Sequence, residues 1–288
     1  MASSYRARNA RALTPRWSVK IAVISLALLV SAIVLHRLFS IPTPVALNLF
    51  KLSILGGILS IVLAAFSLAR LWSRGGEGAG GTFTGLLLGI GLIGWPLAAL
   101  PEQERLPAIN DITTDTSTPP PFHQLASLRA PGANDPAYPG ASFASLQEEA
   151  YPDLKPLFVN RSVGEAFEIC SEAFRRLGYV RVAEEPPGTS YPATGLIEAF
   201  DRTLVWGFYD DVVCRVAGNA QTAQVDLRSA SRYGRHDFGR NAERLRATLR
   251  EIVARLEATV SREKATPAAR QPAGEPARRR GEDVRRPR

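Results

Sequence analysis

Three apolar stretches within the first hundred residues, 17–39, 45–72 and 81–100, limit what this chain can fold into more than any other feature. A helix crosses a hydrocarbon core about 30 Å thick with roughly 20 apolar residues, and each stretch is long enough. Their basic residues, Lys20, Arg37, Lys51 and Arg70, lie near the ends, where long side chains reach the interface. Three transmembrane helices are therefore expected. Small residues recur every four positions, Gly56, Ser60 and Ala64 in the second stretch and Gly81, Gly85 and Gly89 in the third. Such ridges let helix backbones approach closely in lipid. No acidic residue lies within a span, which favours anchoring over ion transport.

Basic residues flanking the spans set an expected orientation. Residues 1–16 form a basic N-terminus with Arg6, Arg8, Arg11 and Arg16, followed by Lys20 and no acid, and the second connection adds Arg70 and Arg74 against Glu77. Both belong in the cytoplasm. The chain after residue 100 then lies outside, which puts the protein in a bacterial inner membrane with a periplasmic or otherwise extracytoplasmic C-terminal domain. No small-residue cleavage site follows the first span, so it is expected to stay as an anchor.

The net charge of +8 does not signal nucleic acid. Residues 101–260 hold 17 basic and 22 acidic side chains, whereas 261–288 hold nine basic and four acidic. The positive charge thus sits in the tails, and the folded part offers no basic nucleic-acid surface. The basic tail 261–288, with almost nothing apolar to bury, is expected to be disordered.

The soluble part divides into a Pro-rich extended lead-in, 101–160, and an α+β domain, 161–260. "SVGE" at 162–165 is a capping box, and Val163, Phe167, Cys170, Phe174 and Leu177 make one apolar helix face that ends at Gly178. Strands are expected over 179–182, 195–202, 204–217 and 221–231, with a turn near Asp210 and Asp211. Alternation turns Val212, Cys214, Val216, Val225 and Leu227 inward and Arg215, Asp226 and Arg228 outward. A last helix from about Phe238 carries Ala242, Leu245, Leu249, Ile252, Leu256 and Val260 on one stripe. The expected domain has two layers: an antiparallel sheet of three to five strands with two helices on one face.

Four segments carry a resemblance. "NDITTD" at 110–115, "PPPF" at 119–122, "DDVVCRV" at 210–216 and "SRYGRHDFGRNAERLR" at 231–246 resemble the bacterial and plastid family catalogued as domain of unknown function 1499, over about residues 106–255. The resemblance implies no activity, cofactor or catalytic residue. His236 stands where the family pattern has a small polar residue, which makes it a poor family-wide base.

The block at 231–246 has two readings. In the first, a structural corner, Asp237 caps the following helix, Gly234 and Gly239 make the turn, and Arg232 and Arg244 pair with Asp210, Asp211 or Asp226. Arg232, Arg235, Asn241 and Arg244 could instead present donors to an anion beside the helix start, with Asp210 and Asp211 nearby. Ser231, His236 and Asp237 supply the residue types of a hydrolytic relay, but adjacent side chains at a helix start do not form one naturally. No cofactor or metal-binding pattern is found. Cys170 and Cys214 fall on facing apolar surfaces, as a disulfide or as two buried thiols. The sequence is thus read as an uncharacterised membrane protein displaying a ligand-binding or protein-interaction module. Its partners would be the bilayer and other envelope proteins or an anionic ligand. The alternative is an envelope enzyme of hydrolase type, acting on an anionic substrate near Arg232 to Arg244.

Overall fold

The computed structural model describes residues 13–75, 77–98, 105–189 and 192–265. Three helices come first: α1 (Leu13–Phe39), α2 (Thr43–Arg74) and α3 (Ala79–Leu97). All three are long and apolar enough to cross a membrane. They pack on one another through the small residues. A Cβ on Gly85 would stand 2.0 Å from Ser18 Oγ, so the α1–α3 contact exists only because position 85 has no side chain. Ser60 takes up the room left over, donating to the carbonyls of Ser18 and Gly85, each at 2.9 Å. Ser53 likewise donates to Ser25 O at 2.8 Å. These hydroxyls bind helix to helix where no water competes.

The remaining chain adds β1 (Asp111–Thr113), α4 (Gln124–Ser127), α5 (Ala141–Ala150), β2 (Leu157–Val159) and α6 (Val163–Arg176). Then follow β3 (Val180–Glu185), β4 (Ala193–Arg202), β5 (Tyr209–Gly218), β6 (Ala223–Ser231) and α7 (Arg240–Ala265). The sheet is antiparallel, ordered β1-β6-β5-β4-β3, with β2 also paired to β6. It has six strands, one more than the widest expectation, because the three-residue strands β1 and β2 come from the Pro-rich lead-in. Strands that short give no alternation to read.

On one face α6 and α7 bury Phe167, Cys170 and Phe174 and Ala242, Leu245 and Ile252 against Ile197, Val212, Cys214, Val216, Val225 and Leu227. Ser162 caps α6 in the expected box with Glu165, and Gly178 closes it at φ 74°. The inward set of β5 and β6 is the one that alternation gives. Their outward set does not face water. Residues 114–138 lie across the second face and bury Phe122 and Leu125 on Leu196, Val213 and Ala230. Arg228, expected outward, is only 2% exposed.

The β4–β5 connection also differs from expectation. Asp210 and Asp211 lie within β5, paired with Asp201 and Phe200, and the loop is residues 203–208. Asp-Asp is a turn-former by propensity, but here both carboxylates are taken by arginines, which holds the backbone extended. The loop rests on the end of the helix bundle. His36 Nδ1 donates to Trp206 O at 2.7 Å, and Arg37 donates to Thr203 O at 3.1 Å. The Trp206 ring lies 5.7 Å from Trp95 and 5.0 Å from Phe50. The last helix starts at Arg240 rather than Phe238 and continues to Ala265, into the stretch expected to be disordered. The rest of that tail, 266–288, and most of the basic N-terminus lie outside the described residues.

Candidate functional site

The block at 231–246 folds as a braced corner. Phe238 and Gly239 both take positive φ, 55° and 74°, an uncommon pair that needs external support. Asp237 supplies it. Its Oδ1 accepts from Gly239 N at 2.9 Å and its Oδ2 from Asn241 N at 3.0 Å. Burial raises the Asp237 pKa, and these backbone donors pull it back in part. His236 Nδ1 accepts from Phe238 N at 2.9 Å. The three residue types of the hydrolytic relay therefore spend their polar atoms on the corner: Ser231 Oγ accepts from Asn241 Nδ2 at 3.0 Å.

Behind the corner, Asn241 and Arg244 lock α7 to the sheet. Asn241 Nδ2 also donates to Asn110 O, and its Oδ1 accepts from Ser229 and Arg244, both at 2.8 Å. Arg244 pairs with Asp210 at 2.8 Å and Asp201 at 3.0 Å. Burial pulls its pKa down, and the two carboxylates more than reverse that. On the opposite face Asp211, fully buried, lies between Arg129 at 2.9 Å and Arg232 at 2.7 Å. Burial pushes the Asp211 pKa up against the pull of both guanidiniums. Five of the seven residues considered for ligand binding, Asp210, Asp211, Arg232, Asn241 and Arg244, thus answer one another, and Asp237 answers the backbone. Arg235 alone stands apart, exposed.

The Pro-rich segment is held down by the same chemistry. Arg228 grips Asp111 through two bonds of 2.9 and 2.6 Å and donates to the carbonyls of Pro120 and Pro136. Phe122 lies under its guanidinium at 4.3 Å. Glu198 accepts from the backbone of His123, Gln124 and Leu125, at 3.0, 3.0 and 2.9 Å, and so fixes the first turn of α4. Buried charges of this number are retained only where each is matched.

One open space remains beside this network. A cavity of about 380 Å³ lies between the β1 edge and the 129–143 segment, and Asn110, Asp111, Arg129, Asn134, Tyr138 and Arg235 are among its walls. Two of these residues carry a buried donor with no protein partner, Arg129 Nη2 and the Tyr138 hydroxyl. Burial, with the Asp111 charge, pushes the Tyr138 pKa up to about 12, so the phenol keeps its proton. Of the residues singled out from sequence, Arg235 and Ser231 reach this space. Arg129, Asn134 and Tyr138 were missed. They sit in a segment whose prolines and turn residues hide any periodicity, and their interspersed polar and aromatic side chains were the one signal available.

Cys170 on α6 and Cys214 on β5 are both buried in the same core and free. Burial and the Cys170 neighbour push the Cys214 thiol up, which keeps it protonated. Among the described residues no group of three His, Cys, Asp or Glu could hold a metal ion.

Residues 111–252 match the family described as "Protein of unknown function (DUF1499)". Neither a curated protein nor a solved structure matches the chain.

Proposed function

Since its residues 111–252 belong to the DUF1499 family, whose description assigns no activity, the cavity has to carry the argument, and we propose that the protein is a membrane-anchored ligand-binding module. The ligand is a small molecule or molecular end bearing acceptor oxygens, a carboxylate or a phosphate. The supporting observation is a cavity walled in part by Arg129, Tyr138 and Arg235, of which the first two each carry a buried donor without a protein partner. A buried donor without an acceptor costs about 1–3 kcal/mol, so an incoming oxygen has free energy to recover here. Binding, rather than turnover, fits a site whose neighbouring cations at Arg232 and Arg244 are already paired with carboxylates.

The module stands outside a bacterial inner membrane, with three spans and a cytoplasmic N-terminus. That orientation rests on the excess of basic residues before the first span and in the second connection. Other envelope proteins are the partners such a display would serve.

Two experiments test this reading. Phosphatase and cytoplasmic fluorescent reporters fused after Pro101 should give phosphatase activity alone, and fluorescence alone would reverse the orientation. Calorimetry on the detergent-purified full chain with inorganic phosphate and with acetate should give heat of binding for at least one, lost in Tyr138→Phe and in Arg235→Ala without a change in melting temperature. Equal heats for the variants and the parent would remove the cavity from the argument.

A further inference from the structure

The loop between β4 and β5 carries apolar side chains where a soluble hairpin would carry polar ones. Leu204 is 84% exposed and Val205 54% exposed, and Trp206 follows directly. The level of this loop can be read against the spans. From Lys20 to Arg37 in α1 is 17 residues and from Lys51 to Arg70 in α2 is 19. At 1.5 Å per residue these intervals are about 26 and 28 Å, close to the roughly 30 Å of a hydrocarbon core. The Ser18–Ser60 and Ser25–Ser53 bonds set α1 against α2 so that Lys51 lies level with about residue 27 of α1, about 15 Å deeper than Arg37, and Ser60 bonded to Gly85 brings the end of α3 at Leu97 between the two levels.

Trp206 lies beside the end of α3, in the step between that end and the longer α1. Its ring contacts Phe50, the neighbour of Lys51, and Trp95, two residues before the end of α3. Its carbonyl accepts from His36, the neighbour of Arg37. Leu204 is two residues away, hence within about 7.6 Å at one Cα step of 3.8 Å per residue. Leu38 and Phe39, at the end of α1, are exposed beside the same level. The backbone of the loop is held in place: Arg37 donates to Thr203 O, and Arg202 donates to the carbonyls of His36 and Arg37. Among the described residues neither guanidinium has a carboxylate partner, which leaves their charge to lipid phosphates at the same depth. Trp at the interface, apolar tips beyond it and arginines at headgroup level are the pattern of a membrane-seated element.

We infer that residues 204–206 dip into the outer leaflet and act as a fourth contact with the bilayer, fixing the domain upright on its own anchor. The partner is the lipid surface itself. The apolar loop is continuous with the lipid-facing ends of α1 and α3, and that continuity decides for lipid over a protein partner. One consequence is that the network at Asp210, Asp211, Arg232 and Arg244 and the cavity beside it occupy the membrane-proximal end of the sheet, since β5 leaves the loop at Tyr209 and β6 returns to Ser231 opposite Asp210.

The inference rests on the three helices crossing a bilayer and is independent of the cavity. The test uses the full chain in phosphatidylcholine nanodiscs, with an environment-sensitive fluorophore on Leu204→Cys, on Leu87→Cys in mid-α3, and on Gln221→Cys at the far hairpin. Cys170 and Cys214 are buried and stay unlabelled. Lipids with a doxyl quencher near the headgroup should remove most of the Leu204→Cys emission and leave Gln221→Cys unchanged, while deep-doxyl lipids quench Leu87→Cys. If Leu87→Cys is quenched and Leu204→Cys is not, the loop contact is refuted and the spans stand. A Leu204→Cys probe that is blue-shifted yet unquenched shows a protein covering the loop and also refutes it. If neither is quenched, the membrane reading falls and takes the loop with it.

Discussion

Arg228→Ala should be the most damaging single change in the second face of the sheet. Arg228 is 2% exposed and Asp111 3%, and their two bonds join the start of the domain to β6 across 117 residues of chain. Removing the guanidinium leaves the Asp111 carboxylate buried without its partner, a loss of about 3–5 kcal/mol. Whole domains are stable by about 5–15 kcal/mol, so the variant would fold only marginally. Asp111 has one escape, which is to take up a proton. Burial already raises its pKa although Arg228 lowers it, and without Arg228 it must rise further. An acid whose folded pKa lies above its unfolded value binds the proton more tightly when folded. Stability is then lost as pH rises through the folded pKa and regained as pH falls towards the unfolded one. The deficit of Arg228→Ala should accordingly be full at neutral pH and shrink in acid. Asp111→Asn with Arg228→Met removes both charges and should recover most of it. Hydrogen exchange of the β1 and β6 amides, measured on the full chain in detergent, reads the opening free energy directly. A neutral-pH deficit below about 0.5 kcal/mol, the range of an ordinary surface change, would refute the reasoning.

Two further outcomes follow from single contacts. Asp237→Ala removes the acceptor for Gly239 N and Asn241 N and should cost about 1 kcal/mol, read as faster exchange in the first turn of α7. Unchanged exchange there would mean the corner is held by Asn241 and Arg244 alone. Gly85→Ala forces a methyl against Ser18 and should destabilise the bundle by about 1–3 kcal/mol, seen as a lower melting temperature in detergent. A melting temperature at or above that of the parent would show that α1 and α3 can move apart freely.

What the sequence determines by itself is the part set by short-range rules. Hydropathy over some twenty residues marks the three helices, Ser162 and Glu165 mark the start of α6, and alternation assigns Val212, Cys214, Val225 and Leu227 to the helix-covered face. The family motifs were equally visible, since a motif is a string. Tertiary structure decided what those strings do. Alternation sends Arg228 and Asp226 to the far side of the sheet, and only the fold shows that a Pro-rich segment covers that side and turns their charges into buried ion pairs. Pairing of Arg232 and Arg244 with Asp210, Asp211 or Asp226 is expected from the sequence, but which carboxylate each arginine takes, 21 and 34 residues away on a neighbouring strand, is set by the fold. The position of the β4–β5 turn was also out of reach. Asp210 and Asp211 have the stronger local preference for turning, but the arginines that pair with them and the bundle end that receives Trp206 outweigh it. Local preference is worth tenths of a kcal/mol per residue and a matched buried charge several, so wherever the two compete the contact between distant segments sets the structure.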